Sequence, residues 1–219
     1  MLQKENIAIS RIIDLIPHGT KLVKFLGRHA KSVQKGTQET RTLSEKGVDL
    51  CKDVSYFYGR LFLHLRDSYG EFEYCSSEWP RSLLTTFLTT KETQIVMLNN
   101  MTIPVGASLK NLNDGEWFRE RKAKKMTVVE MIQEFLKNRD VLGGKPFDEY
   151  EQAYISWVME DIYSKAGFFH EIGCTLAAIK LGINPEEAGL NECQGYLFCL
   201  DNSAKVLSVI KVAPPATLE

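Results

Sequence analysis

The strand-like segments of this chain come in two pairs set far apart, with helical patterns before and between them, and that spacing constrains the fold more than any other feature. Thr93 to Leu98 and Met101 to Val105 are β-favouring runs joined by Asn99 and Asn100, residues that tolerate the positive φ of a tight turn. Pro104 favours an edge position for the second run. Tyr196 to Leu200 and Lys205 to Val212 flank Asp201-Asn202-Ser203-Ala204, a four-residue hairpin loop. Hairpins at about 93–105 and 196–212 predict an α+β fold, one antiparallel sheet covered by helices. The strand-helix alternation of a doubly wound parallel sheet is not read in the sequence.

Helical periodicity accounts for most of the rest. Ile9, Ile12, Ile13 and Ile16 mark a short first helix, separated by Pro17 and Gly19 from the next segment. There Leu22, Val23, Leu26, Ala30 and Val33 recur at helical spacing. Lys21, Lys24, Arg28, Lys31 and Lys35 take other directions, the pattern of a basic amphipathic helix in which His29 also lies. A longer helix carries Cys51, Val54, Tyr58, Leu61, Phe62 and Leu65 and ends near Gly70. The expected division is a helical N-terminal module over 1–70, an α+β core over 71–212, and a frayed tail over 213–219 opened by Pro214 and Pro215. Thr127 with Glu130 forms a capping box, predicting a helix from about Thr127 to Asn138 that Gly143 and Gly144 stop. Tyr150 to Ser164 and Phe168 to Leu181 read as further helices, and Asn184, Pro185 and Glu187 start a short one.

A formal charge of -1 with 44% hydrophobic residues excludes a disordered polyanion and a nucleic-acid binder driven by bulk charge. No apolar run approaches the roughly 18 residues that span a bilayer. Met1 to Asp14 lacks the pattern of a secretory signal. Five cysteines without a CxxC pair fit a reducing compartment, so the cytoplasm is the expected location. Charge is uneven: residues 1–46 hold nine Lys/Arg against four Asp/Glu, and the remainder is acidic on balance.

Candidate chemistry gathers around His170. On a helix over Phe168 to Leu181, Phe168, Phe169, Ile172, Leu176 and Ile179 fill one face, while His170, Cys174, Ala177, Ala178 and Leu181 gather opposite. An imidazole and a thiol four residues apart, with Glu171 to orient the ring, would make a nucleophilic pair. A helix that is apolar on two sides is more simply a sandwiched structural element, with Cys174 an inert small hydrophobe. His170, Cys174, Cys193 and Cys199 match no zinc knuckle or ribbon spacing, so neither a metal nor a cofactor is expected. Gly143-Gly144-Lys145 lacks the upstream glycine and the following Ser or Thr of a nucleotide loop, leaving Lys145 as an isolated anion contact. Trp117, Arg119, Arg121 and Lys122 open a basic aromatic run after the turn at Asn113-Asp114-Gly115. It offers a ligand or anion surface, though a solvated basic face with Trp117 anchored in the core is the commoner outcome. The basic helix over about 20–35 offers lipid contact, outweighed by ordinary packing. With most polar residues explained by caps, turns and solvated faces, the sequence favours a protein that acts by binding a protein partner or a small ligand, with nucleic acid not expected. The alternative is a hydrolase-like or thiol-dependent enzyme using His170 with Cys174 or an acidic partner.

Overall fold

Val23, Phe25 and Leu26 have no exposed surface, yet they lie in a strand and not in the predicted basic helix. A computed structural model of the chain describes residues 2–33, 35–37, 40–90, 98–103, 116–137, 145–160 and 163–218. Its elements run α1 (Leu2–Asp14), β1 (Leu22–Arg28), α2 (Glu45–Tyr69), β2 (Phe72–Ser77), α3 (Pro80–Thr90), β3 (Leu98–Ile103) and α4 (Glu116–Ala123). They continue with α5 (Val128–Lys137), α6 (Lys145–Met159), β4 (Ser164–Phe169), α7 (Glu171–Lys180), β5 (Gly195–Leu200) and β6 (Val206–Val212).

The strands form one six-stranded sheet in the order β3-β2-β4-β1-β5-β6. From β3 to β1 neighbouring strands are parallel; β1–β5 and β5–β6 are antiparallel. The predicted antiparallel sheet from two hairpins is therefore corrected to a mixed sheet. The hairpin at 196–212 is present, its loop tied by Asp201 Oδ1, which accepts from Ser203 N at 2.8 Å and Lys205 N at 3.0 Å. At about 93–105 there is no hairpin turn at Asn99 and Asn100: both lie inside β3, which runs parallel to β2. Residues 93–97 and 104–105 of that expectation, with Asn113-Asp114-Gly115 and Gly143-Gly144, fall outside the described residues.

Buried parallel strands explain the error. Strands covered on both faces read as continuous apolar runs without alternation, and a short run of that kind cannot be told from a buried helix by periodicity. Here successive side chains point to opposite layers, as the pleat dictates. Phe25, Phe168 and Leu197 join the cluster under α1 and α2, while Leu26, Phe169 and Phe198 join the cluster under α5, α6 and α7. The N-terminal third is thus α1, a central strand and α2, not a wholly helical segment. The predicted helix over Phe168 to Leu181 is likewise a strand end followed by α7, so His170 sits at a junction and not in mid-helix.

Where a local signal acted alone, the expected element appears. Ser44 caps α2 by accepting from Gly47 N at 3.1 Å, and Gly70 ends it at φ 82, a left-handed conformation that disfavours a side chain. Thr127 and Glu130 form the reciprocal capping box of α5, with Thr127 N donating to Glu130 Oε2 at 2.7 Å and Glu130 N to Thr127 Oγ1 at 3.2 Å. Asn184 to Glu187 make only a turn. No helix among the described residues is long and apolar enough to cross a membrane.

Candidate active site

β1 passes the chain to α2 on one face of the sheet, and the adjacent parallel strand β4 passes it to α7 on the other. Neighbouring strands with opposite departures leave a crevice beyond their C-terminal ends, the place where open α/β sheets bind ligands. His29 is the residue after β1, and His170 is the residue after β4. The ladder carries on to both, since His29 N donates to Phe169 O at 2.9 Å. The two imidazole centroids stand 5.2 Å apart with the rings at 76°.

His29 is partly exposed and held in one tautomer by two contacts. Its Nδ1 lies 2.7 Å from Ala30 O, and a carbonyl only accepts, so Nδ1 carries the hydrogen. Its Nε2 accepts from Arg81 Nε at 3.1 Å, which requires a lone pair there. Burial pushes the His29 pKa down to about 3; the Ala30 hydrogen bond opposes the shift, and the charges of Arg81 and Arg28 add to it. The ring is therefore neutral at neutral pH, with the Nε2 lone pair directed at Arg81. Ala30 is itself fixed by donating from its backbone N to Thr85 Oγ1 at 3.1 Å. Thr85 and Arg81 are one turn apart on α3, so a single helical face both steadies the His29 loop and delivers the guanidinium. Arg81 is buried with its Cζ 4.3 Å from the Trp79 ring centroid, and burial pushes its pKa down to about 10, leaving it cationic at neutral pH.

His170 is also buried, and burial, with the neighbouring His29 ring and the Arg81 charge adding to it, holds its imidazole well below the ordinary histidine range. Nε2 is 3.0 Å from Ser77 Oγ at the end of β2, while Nδ1 has no hydrogen-bond partner among the described residues. Its backbone N donates to Tyr154 Oη at 3.4 Å, and Tyr154 Oη lies 3.3 Å from Tyr150 Oη. Gly173 permits this arrangement, because a Cβ there would collide with the Tyr154 ring. Glu171 opens α7 and pairs with Arg28, Oε2 to Nη1 at 2.8 Å. Burial raises the Glu171 carboxyl above the usual range against the pull of Arg28, with Glu192 adding to the rise. Arg28 Nη1 also donates to Leu190 O at 2.5 Å.

Of the residues singled out from sequence, His170 and Glu171 stand in this cluster. Cys174 is buried one turn further along α7; its Sγ donates to Gly27 O at 3.5 Å and burial holds the thiol well above its ordinary pKa, so it is a protonated packing group. Lys145 opens α6, and its side chain lies outside the described residues. Trp117 is half-buried against the core, with Arg121 Cζ 4.9 Å from its ring centroid and Arg121 Nη2 paired to Glu134 at 2.6 Å. Arg119 is exposed, and Lys122 lines a cavity of about 710 Å3 that also reaches Arg28 and Glu171. Among the described residues no group of three or more His, Cys, Asp and Glu is placed to hold a metal ion. Sequence reasoning missed His29, Arg28 and Arg81 as site residues. The available signal was a repeated pattern: two short apolar runs, Leu22 to Leu26 and Ala166 to Phe169, each followed closely by a histidine.

No protein-family model and no curated protein matches the sequence. Solved structures do. The protein histidine phosphatase SixA complexed with tungstate aligns over 88% of this chain and 97% of its own, at 13% identity and a TM-score of 0.50. The phosphoglycerate mutase from Bacillus anthracis aligns over 89% of this chain and 94% of its own, at 18% identity and a TM-score of 0.53. The chain therefore has a phosphoglycerate mutase-like fold, a mixed sheet with helices on both faces. These neighbours are enzymes of phosphoryl chemistry, and their likeness corrects the sequence expectation of a binding protein without catalytic machinery.

Proposed function

We propose that this protein is a phosphatase that cleaves phosphomonoesters through a covalent phosphohistidine at His29. The observation that carries the reading is the pair of contacts on the His29 ring, which together present an unprotonated Nε2 beside a buried arginine. The fold shared with a histidine phosphatase and a phosphoglycerate mutase supports it.

In the first step the Arg81 hydrogen bond passes from Nε2 to the phosphoryl oxygens, Nε2 attacks phosphorus, the N–P bond forms, and the ester P–O bond breaks. Arg81, Arg28 and the free Nδ1 of His170 surround the place where the phosphoryl oxygens gather charge, and donors fixed before the reaction stabilise that charge most effectively. Glu171 supplies the proton that the leaving oxygen needs. A phosphoryl group that engages Arg28 takes away the cation that opposes protonation of Glu171, so substrate binding itself readies the acid. In the second step water attacks phosphorus, its proton returns to Glu171, the N–P bond breaks and orthophosphate leaves.

The test is to quench the enzyme with phosphorus-labelled ester during turnover. A label on the protein that survives alkali, is lost in acid and disappears in His29→Ala is the expected result. Turnover without such an adduct, or an adduct that persists in His29→Ala, overturns the reading.

A further inference from the structure

Trp79 lies between β2 and α3, just before Pro80, whose fixed φ suits the first helical position. Its backbone oxygen accepts from Ser82 N at 2.9 Å and Leu83 N at 3.2 Å, so the first turn of α3 holds it in place. Its ring folds back over the site. Arg81 Cζ lies 4.3 Å from the ring centroid, and the His170 centroid lies 4.6 Å from it with the two rings at 61°. Arg121 and Lys165 stand 4.9 Å and 5.9 Å from the Trp117 and Trp157 rings, so the Arg81 contact is the shortest of its kind among the described residues. Water weakens the attraction between a cation and a ring face, but Trp79 is only 3% exposed and Arg81 4%, so this contact is largely desolvated.

We propose that Trp79 is a positioning residue, whose ring face keeps the Arg81 guanidinium at the phosphoryl site while its hydrogen bond passes from His29 to the phosphoryl oxygens. This rests on the phosphatase reading of the same site. In the resting protein Arg81 Nε donates to His29 Nε2, the atom that must attack, so the arginine has to let go of that partner before the N–P bond forms. A hydrogen bond is lost when its donor turns away. The attraction of a guanidinium to a ring face depends on nearness and little on which N–H is engaged, so Trp79 keeps its hold while the donors change partner. The same ring packs on His170, so one side chain sets the spacing between the guanidinium and the second imidazole.

Trp79→Leu keeps an apolar side chain and removes the ring face. With phenyl phosphate as substrate its kcat should fall roughly tenfold, the order of effect a desolvated cation–π contact supplies. Because Trp79 acts through Arg81, the losses should not add: Trp79→Leu with Arg81→Ala should lose about as much as Arg81→Ala alone, whereas a role confined to packing would multiply the two. Tetrafluorotryptophan placed at position 79 alone keeps nearly the same shape with a depleted ring face. It should lower kcat in the same direction, and it reads the contact even if far-ultraviolet circular dichroism shows Trp79→Leu to be unfolded. An unchanged kcat in the fluorinated protein, or losses that multiply in the double variant, overturns the role of Trp79 while leaving the phosphatase standing. No turnover of phenyl phosphate by the unaltered protein, with no labelled protein formed, overturns the phosphatase reading and this inference with it.

Discussion

At the N-terminal ends of β1 and β4, Lys24 and Lys165 face each other in register with almost no exposed surface, whereas at the C-terminal ends the same two strands present Arg28, His29 and His170. The lower cations are consumed by the protein. Lys24 Nζ donates to the backbone oxygen of Tyr163 and, at 3.5 Å, to that of Glu160, just past the end of α6, where carbonyls lack partners. Lys165 Nζ lies 3.9 Å from Glu73 Oε2. At the upper end Arg28 holds Glu171 and Leu190 O and Arg81 holds His29, while His170 Nδ1 has no hydrogen-bond partner among the described residues. Basic side chains on the same strands thus serve architecture at one end and, on the proposed reading, chemistry at the other. What separates the two is the kind of partner: mainly backbone oxygens and one carboxylate fixed to a strand below, ionisable side chains gathered at the crevice above.

That contrast is broken most directly at His29. His29→Ala should lower kcat by at least about a thousandfold and abolish the labelled intermediate, since it removes the nitrogen proposed to form the N–P bond. Arg81→Ala should cost roughly a hundredfold or more in kcat, the order expected when one fixed donor to a developing charge is removed. Glu171→Gln sharpens the picture of proton delivery. It should slow alkyl phosphates by about a hundredfold while affecting p-nitrophenyl phosphate far less, because that leaving group needs no proton.

The lower end should respond in the opposite currency. Lys24→Met is expected to lower stability by about 1–3 kcal/mol in urea titrations, because two backbone oxygens lose their donor, while kcat of the folded protein stays within about twofold. A large fall in kcat for Lys24→Met would collapse the distinction between the two ends. The smallest effect concerns pH. A histidine whose folded pKa is pushed from 6.5 to about 3 takes up a proton in the unfolded chain first, so the stability it lends is complete above 6.5 and drains away as pH falls toward 3. His170, also depressed, acts with the same sign. The Tm should fall by roughly a few degrees more between pH 7 and 4 in the unaltered protein than in His29→Asn.

Local chemistry was legible in the sequence wherever one segment determined its own shape. The Thr127–Glu130 box, the Gly70 stop and the Asp201 loop all depend on neighbours in the chain. Lys24 shows why the rest was hidden. A lysine among apolar residues reads as the solvated side of a helix, and the distant carbonyls of Glu160 and Tyr163 help make its burial in a strand tolerable. The same holds for the site. His170 and Glu171 attracted notice as ionisable neighbours, but their purpose depends on residues 28, 29 and 81, which the sheet order brings together and which no spacing along the chain reveals. Asn99 and Asn100 misled for a related reason: turn-tolerant residues were accommodated by parallel pairing with β2.

The side chains of the candidate site sit at strand ends and in the first turns of α3 and α7, while the cavity walls come largely from α4, α5, the stretch before β5, and the outermost strand β6. On the phosphatase reading, heritable change in those walls would remodel what is recognised without disturbing how it is cleaved. A lineage built on this plan is free to diversify its diet while its engine stays put.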